Sequence, residues 1–178
     1  MRTMLVTFLA TLLLGLSGAS AQCVILTGVP FAGEFEHPVK NYNRASDRVA
    51  TAGELTPEAI AELYDIGFDA IVDVRPAEEQ VIRAERTLVE AEGLAYYHLP
   101  YTDDGVSEAD LATFRALLAD PRELRILVHC GQGSRAGAFL ASHHLALGAD
   151  RAFALTAGRA AGLQPDLEAE LLVRLDRS

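Results

Sequence analysis

Apolar residues along this chain fall into two alternating kinds of run, and the alternation predicts the architecture. Short runs rich in apolar residues stand at residues 48–52, 68–74, 94–99 and 125–129, the last with Ile126, Leu127 and Val128 in unbroken succession. Each reads as a strand, the last as one buried on both faces. Between the first two, Thr56-Pro57-Glu58 supplies a helix cap, a proline at the first helical position and an acid in the first turn; Ile60, Leu63 and Tyr64 then share a face and Gly67 is a stop. Pro76 opens a helix predicted over 77–92 and closed by Gly93, and Ser107 caps one with Leu111, Phe114 and Leu118 at helical spacing. Small and apolar residues predict a helix from Ala136 to Leu147, with Gly148 past its end, followed by helices at 150–161 and 165–175. Strands alternating with helices imply an α/β fold, a parallel central sheet flanked by helices with right-handed crossovers. Ligands of such sheets bind beyond the carboxyl ends of the strands, where segments 75–79, 100–106 and the loop after His129 should converge.

The beginning of the chain has a different character. Met1-Arg2 is a positive start, residues 4–16 are an apolar run too short for a membrane span, and Ala19-Ser20-Ala21 has the small residues of a cleavage site. Residues 1–21 therefore read as a signal peptide, which implies an exported protein, periplasmic or secreted, with no stable membrane insertion after cleavage. Residues 22–46, with Gly28, Pro30, Gly33 and Pro38, read as an irregular arm, and 47–178 as the domain. The formal charge of −10 becomes −11 without the leader, whose one charged residue is Arg2. That balance argues against nucleic acid or an anionic membrane as a partner. Export also gives the two cysteines, Cys23 and Cys130, a structural reading as one disulfide beside a catalytic reading of Cys130.

The candidate chemistry lies in residues 125–138, RILVHCGQGSRAGA. Cys130 enters a strand-to-helix turn, among backbone N–H groups at a helix N-terminus and five positions before a guanidinium, features that favour a thiolate and cradle an anion. Gly131 and Gly133 leave room for inward-pointing N–H groups, with Gln132 between them, and Arg135 is placed to hold an anionic group by paired hydrogen bonds. Ser134 is expected to cap the following helix. His129 either supports the loop or is a satisfied histidine at a strand end.

The run from Val128 to Arg135 resembles the signature of cysteine-dependent tyrosine and dual-specificity phosphatases, although four residues rather than five separate Cys130 from Arg135. The shorter spacing resembles the active loop of rhodanese-type sulfurtransferases, as does Asp73-Val74-Arg75 with Glu78 and Glu79 after it. Tyr97-His98-Leu99-Pro100-Tyr101-Thr102-Asp103-Asp104 resembles the segment that delivers the acid in dual-specificity phosphatases. Together these features are similar to the phosphatase-like, or sulfur-transferase, domain of beta-lactamase-hydrolase-like proteins. That resemblance runs from Asn41 to Leu163 and includes Asn41-Tyr42-Asn43-Arg44 and Gly158-Arg159-Ala160-Ala161-Gly162-Leu163. It implies a cysteine-phosphatase-like fold, Cys130 as nucleophile, a small anionic substrate (sulfur donor or phosphoester), and no cofactor.

Leaving groups separate the chemistries. A phosphoester expels an alkoxide or phenoxide that needs a proton, for which Asp103 and Asp104 are the candidates beside their plain reading as solvated loop carboxylates. Persulfide transfer expels a stable anion and needs no acid. The four-residue spacing, and Ala136 where phosphatases have a hydroxyl, favour sulfur transfer through Cys130. Phosphoester hydrolysis is the alternative, and a non-catalytic anion-binding or redox module with Cys23 paired to Cys130 is a third. Asp73 and Arg75 read as a structural ion pair. Adjacent His143 and His144 diverge on a helix without a third ligand, so no metal is expected. Tyr96, Tyr97 and Tyr101 are expected to divide between core and pocket. The sequence sets no oligomeric state.

Overall fold

A computed structural model describes residues 35–78 and 82–177. Four strands run parallel: β2 (Val49–Ala52), β3 (Ala70–Asp73), β4 (Ala95–His98) and β5 (Ile126–His129). With β1 (Asn43–Arg44) they form one sheet in the order β1-β2-β5-β3-β4. β1 is antiparallel to β2, which departs from an all-parallel sheet and from a wholly irregular arm over 22–46. The reversal is local: Ala45 and Ser46 both donate to the Val49 carbonyl, folding the chain back on itself before β2 starts.

Two hydrophobic layers cover the sheet. Ala50, Ala52, Ile71 and Leu127 face Ile60, Leu63 and Ile66 of α1 (Pro57–Ile66) and Val89 of α2 (Ile82–Ala91). On the other face Val72, Ile126 and Val128 meet α3 (Glu108–Leu118) through Phe114 and α4 (Ser134–Ala146) through Phe139. Outside them lie α5 (Arg151–Ala160) and α6 (Pro165–Leu175). Continuous burial of β2, β3 and β5 explains why they are apolar on both faces apart from Thr51, Asp73 and His129, since neither face meets water. Thr56, Ser107 and Asp150 cap α1, α3 and α5 with side-chain oxygens. Among the described residues no helix is long and apolar enough to cross a membrane. The expected signal peptide and Cys23 lie outside the described residues.

The expected helix at 77–92 is shorter. Arg75 N donates to Asp73 Oδ1, an Asx-type turn that carries the chain away from β3, residues 77–78 continue the turn, and α2 runs from Ile82. α4 begins earlier than expected, at Ser134, because Gly133 takes the cap position at φ +88°. Close packing of α4 on α5 depends on Gly137 and Gly158: a Cβ on Gly137 would sit 2.3 Å from Leu163 N and 2.7 Å from Gly158 O.

Candidate functional site

The register aligns the carboxyl ends of all four parallel strands. Ala52 and Asp73 both pair with His129, and Asp73 with His98. Cys130 leaves β5 at that common edge. Its own N–H donates to Ala52 O, while Glu54 N donates to Gly131 O, so the start of the loop is tied to the end of β2. The thiol is 1% exposed and Gly133 N donates to Sγ at 3.1 Å. A backbone N–H aimed at the sulfur stabilises the thiolate more than the thiol. Arg135, in the first turn of α4, reaches back over the loop, its Nη2 4.0 Å from where a Gly131 Cβ would stand.

Two neighbours hold the loop from outside. Asn41, at φ +48°, donates through Nδ2 to Gln132 O at 3.2 Å and to Gly162 O at 3.1 Å. Ser134 Oγ accepts from Gln164 N at 2.9 Å, so it bridges the loop to the α5–α6 turn rather than capping α4 as expected. The strap bearing Asn41 is anchored by Phe35, Val39 and Tyr42 against the α1 side of the core, and by Glu36 and His37 on the Glu62 carboxylate.

Beneath the loop lies a buried charged group. Arg75, 2% exposed, bonds Asp73 through Nε and Nη2 (2.7 Å from Nη2 to Oδ2) and Glu85 through Nη2 at 2.6 Å. Tyr96 Oη donates to Asp73 Oδ2 at 2.5 Å, and His129 Nε2 stands 2.9 Å from Glu85 Oε1. Burial pushes the Asp73 carboxyl up, but the Arg75 hydrogen bonds and the neighbouring His129 and Tyr96 outweigh it and hold the group below the usual range. Burial and the bond to Asp73 push the Tyr96 hydroxyl upward. The expected Asp73–Arg75 pair is thus present within a larger network, with His129 as its member next to Cys130. Neither ring nitrogen of His129 has a hydrogen-bond partner among the described residues, so its approach to Glu85 is one of distance alone. Asp73, Glu85 and His129 have ligand-type atoms within 4.8 Å of one another, but the Arg75 guanidinium already binds both carboxylates as their counter-cation.

A cavity of about 540 Å³ opens over the loop. Cys130, Gln132, Ser134 and Arg135 line it, joined by Lys40 and Asn41 from the strap and by Gln164, Asp166, Leu167 and Glu170 at α6. Asp103 and Asp104 are exposed and line a neighbouring cavity of about 590 Å³, which shares Glu170 with the first. The expected convergence of segment 100–106 with the loop is therefore met side by side, not in one pocket. Tyr96 and Tyr101 are both buried; Tyr101 Oη accepts from Arg174 Nη1 at 2.9 Å. Tyr97 packs on the α3–α4 side of the core. None of the three lines the Cys130 cavity. Lys40, Glu85, Asp166 and Glu170 carry no local motif from which a role could be read.

Residues 41–150 match the family described as beta-lactamase hydrolase-like protein, phosphatase-like domain. The match begins at Asn41, as the resemblance does, and ends short of Leu163. A beta-lactamase hydrolase-like protein of Xylella fastidiosa is 30% identical over 95 residues, 51% of this chain and 22% of that longer protein. The fold is similar to a candidate phosphatase from Neisseria meningitidis (TM-score 0.60, 20% identity, 75% of this chain and 98% of that one). It is also similar to TpbA of P. aeruginosa (TM-score 0.58, 22% identity, 78% and 85%). These neighbours have cysteine-phosphatase-like folds and give the sulfur-transfer expectation no support.

Proposed function

Because the chain belongs to the family of beta-lactamase hydrolase-like phosphatase-like domains, we propose that it is a cysteine-dependent phosphoester hydrolase acting on a small anionic substrate. The observation that carries the proposal is the loop in which Gly133 N–H meets Cys130 Sγ and Arg135 closes over the same cavity. In the first step the Cys130 thiolate attacks phosphorus, the P–O bond to the leaving group breaks, and the departing oxygen takes a proton. Arg135 and the N-terminus of α4 balance charge on the phosphoryl oxygens. Water then cleaves the phosphocysteine, releasing phosphate and the thiolate. Asp103 or Asp104 is the proposed proton donor, acting from the adjoining cavity on a leaving group that extends past Glu170. Support for the substrate class comes from the similar TpbA fold, a variant of which was solved with phosphotyrosine.

A second reading, persulfide transfer through Cys130, is favoured by two observations. Four residues separate Cys130 from Arg135, and neither Asp103 nor Asp104 lines the Cys130 cavity. One experiment separates the readings. Aryl-phosphate turnover is measured for the protein and for Cys130→Ser, Asp103→Asn and Asp104→Asn, beside intact mass after incubation with thiosulfate. Turnover that needs Cys130 and one aspartate is the expected result. One added sulfur on Cys130 without any turnover would overturn it in favour of transfer.

The proposal includes export through residues 1–21. N-terminal sequencing of the mature protein from producing cells should begin at Gln22, and a retained Met1 in the exported fraction would contradict it.

A further inference from the structure

The Cys130 cavity presents a charge imbalance. A phosphomonoester brings about two negative charges at neutral pH and the thiolate a third. Arg135 returns one, and the same lining contains the carboxylates Asp166 and Glu170. The loop's own donors are partly engaged, since Gly133 N–H already points at Cys130 Sγ. One further cation lines the cavity, Lys40.

Lys40 is exposed, and its side chain has no hydrogen bond or ion pair among the described residues. Its backbone is fixed. Gly53 N donates to Lys40 O at 2.6 Å, and a Cβ on Gly53 would meet Lys40 O at 3.0 Å and Lys40 Cβ at 3.1 Å, so the strap lies directly on the turn after β2. The next residue, Asn41, is bonded to the catalytic loop itself. An unengaged ammonium is thus held at the mouth of the site by contacts that do not involve its side chain.

We propose that Lys40 is a second oxyanion-binding cation of the Cys130 site, reaching from the strap to a tetrahedral anion seated on the loop and held by Arg135. The ligand chemistry is an oxyanion with three free oxygens on one centre, the shape of a phosphoryl group and of thiosulfate. Arg135 takes two oxygens in a planar fork, and a flexible ammonium suits the remaining one as a point charge. The inference rests on the loop being an oxyanion cradle, but not on which reaction follows.

The test needs no turnover. Cys130 is alkylated with neutral iodoacetamide, and the concentration of inorganic phosphate, or separately of thiosulfate, that halves the rate is measured. Lys40→Gln should raise that concentration about tenfold, and Lys40→Arg should stay within about threefold of the unaltered protein. The Lys40→Gln backbone contact to Gly53 is unaffected, and unchanged thermal unfolding of the variant checks this. An unchanged half-protecting concentration in Lys40→Gln, with protection lost in Arg135→Ala, would overturn the role of Lys40 and leave the cradle intact. Absence of protection by either anion in the unaltered protein would sink the cradle and this inference together. Protection by phosphate but not thiosulfate would assign the site to phosphoryl chemistry, and the reverse to sulfur transfer; in either case the Lys40 comparison decides the inference with the anion that protects.

Discussion

Asn41 and Gln132 are 91 residues apart in the chain, yet the Asn41 Nδ2 donates to the Gln132 carbonyl at 3.2 Å and binds the strap to the middle of the nucleophile loop. The same amide holds Gly162 O, so strap, loop and α5–α6 turn meet at one side chain. Asn41 also carries a positive φ of 48°, which asparagine tolerates and alanine resists. Asn41→Gly keeps the backbone and removes the amide, at a cost of about 2–4 kcal/mol from three lost bonds, the third being the one its Oδ1 accepts from Asn43 Nδ2. Asn41→Ala adds backbone strain and should be the less stable of the two. Both should lower turnover by about 10-fold or more through a misplaced loop. Urea unfolding and aryl-phosphate kinetics of the pair check this; equal stability of the two variants would contradict the backbone part.

The buried network under the loop predicts an asymmetric cost. Among the described residues, Glu85→Ala leaves Arg75 with Asp73 as its side-chain partner and removes the carboxylate beside His129, all within the core. Breaking one partner of such a group costs about 3–5 kcal/mol. Arg159→Ala, which removes an exposed pair with Glu168, should leave the unfolding midpoint almost unchanged. Denaturant titrations of both variants decide it.

Helix packing predicts a third outcome. Gly137 lies two residues past Arg135, and a methyl there would overlap the backbone at Leu163 and Gly158. Gly137→Ala should lose about 2–4 kcal/mol, since α5 must move and the α5–α6 turn with it. Gly148→Ala is the control, because nothing lies within 4 Å of a Cβ there; its cost comes from a φ of +84° alone.

His143 predicts a pH dependence. It is 6% exposed, ring to ring with Phe114 at 5.1 Å. Burial, then the nearby His144 and Arg115, push its pKa down from 6.5 to about 4. Between those values the unfolded chain binds a proton that the folded chain does not. Stability therefore falls as pH drops from 6.5 towards 4, by up to about 1.4 kcal/mol per pH unit from this group. A His143→Phe variant should lose that part of the slope, measured as the difference between the two stability–pH curves.

What was legible in the sequence was whatever is encoded locally. Thr56, Ser107 and Asp150 announce their helices, short runs rich in apolar residues mark β2, β3 and β5, and Cys130 with Arg135 sit on one turn where their chemistry can be counted off. What was not legible depends on tertiary placement. Glu85 meets His129 only because α2 packs against α1 and β4, and its helix begins later than Pro76 suggests since the Asp73 side chain turns the chain first. Ser134 has the residue type of a cap but bonds Gln164, thirty positions on. Asp103 and Asp104 follow β4 as expected, but Glu170 stands at the seam between their cavity and that of Cys130. No spacing rule reports which side of α6 a loop will fall on.

That helix has a broader consequence. The family match ends at residue 150, whereas Asp166, Leu167 and Glu170, which wall the Cys130 cavity, belong to α6. The reactive loop thus lies inside the matched stretch and the facing wall outside it, so the match describes the nucleophile but not the residues opposite it. Two proteins with the same loop can then accept different molecules, and transferring a substrate from one relative to another requires comparing the wall before the nucleophile.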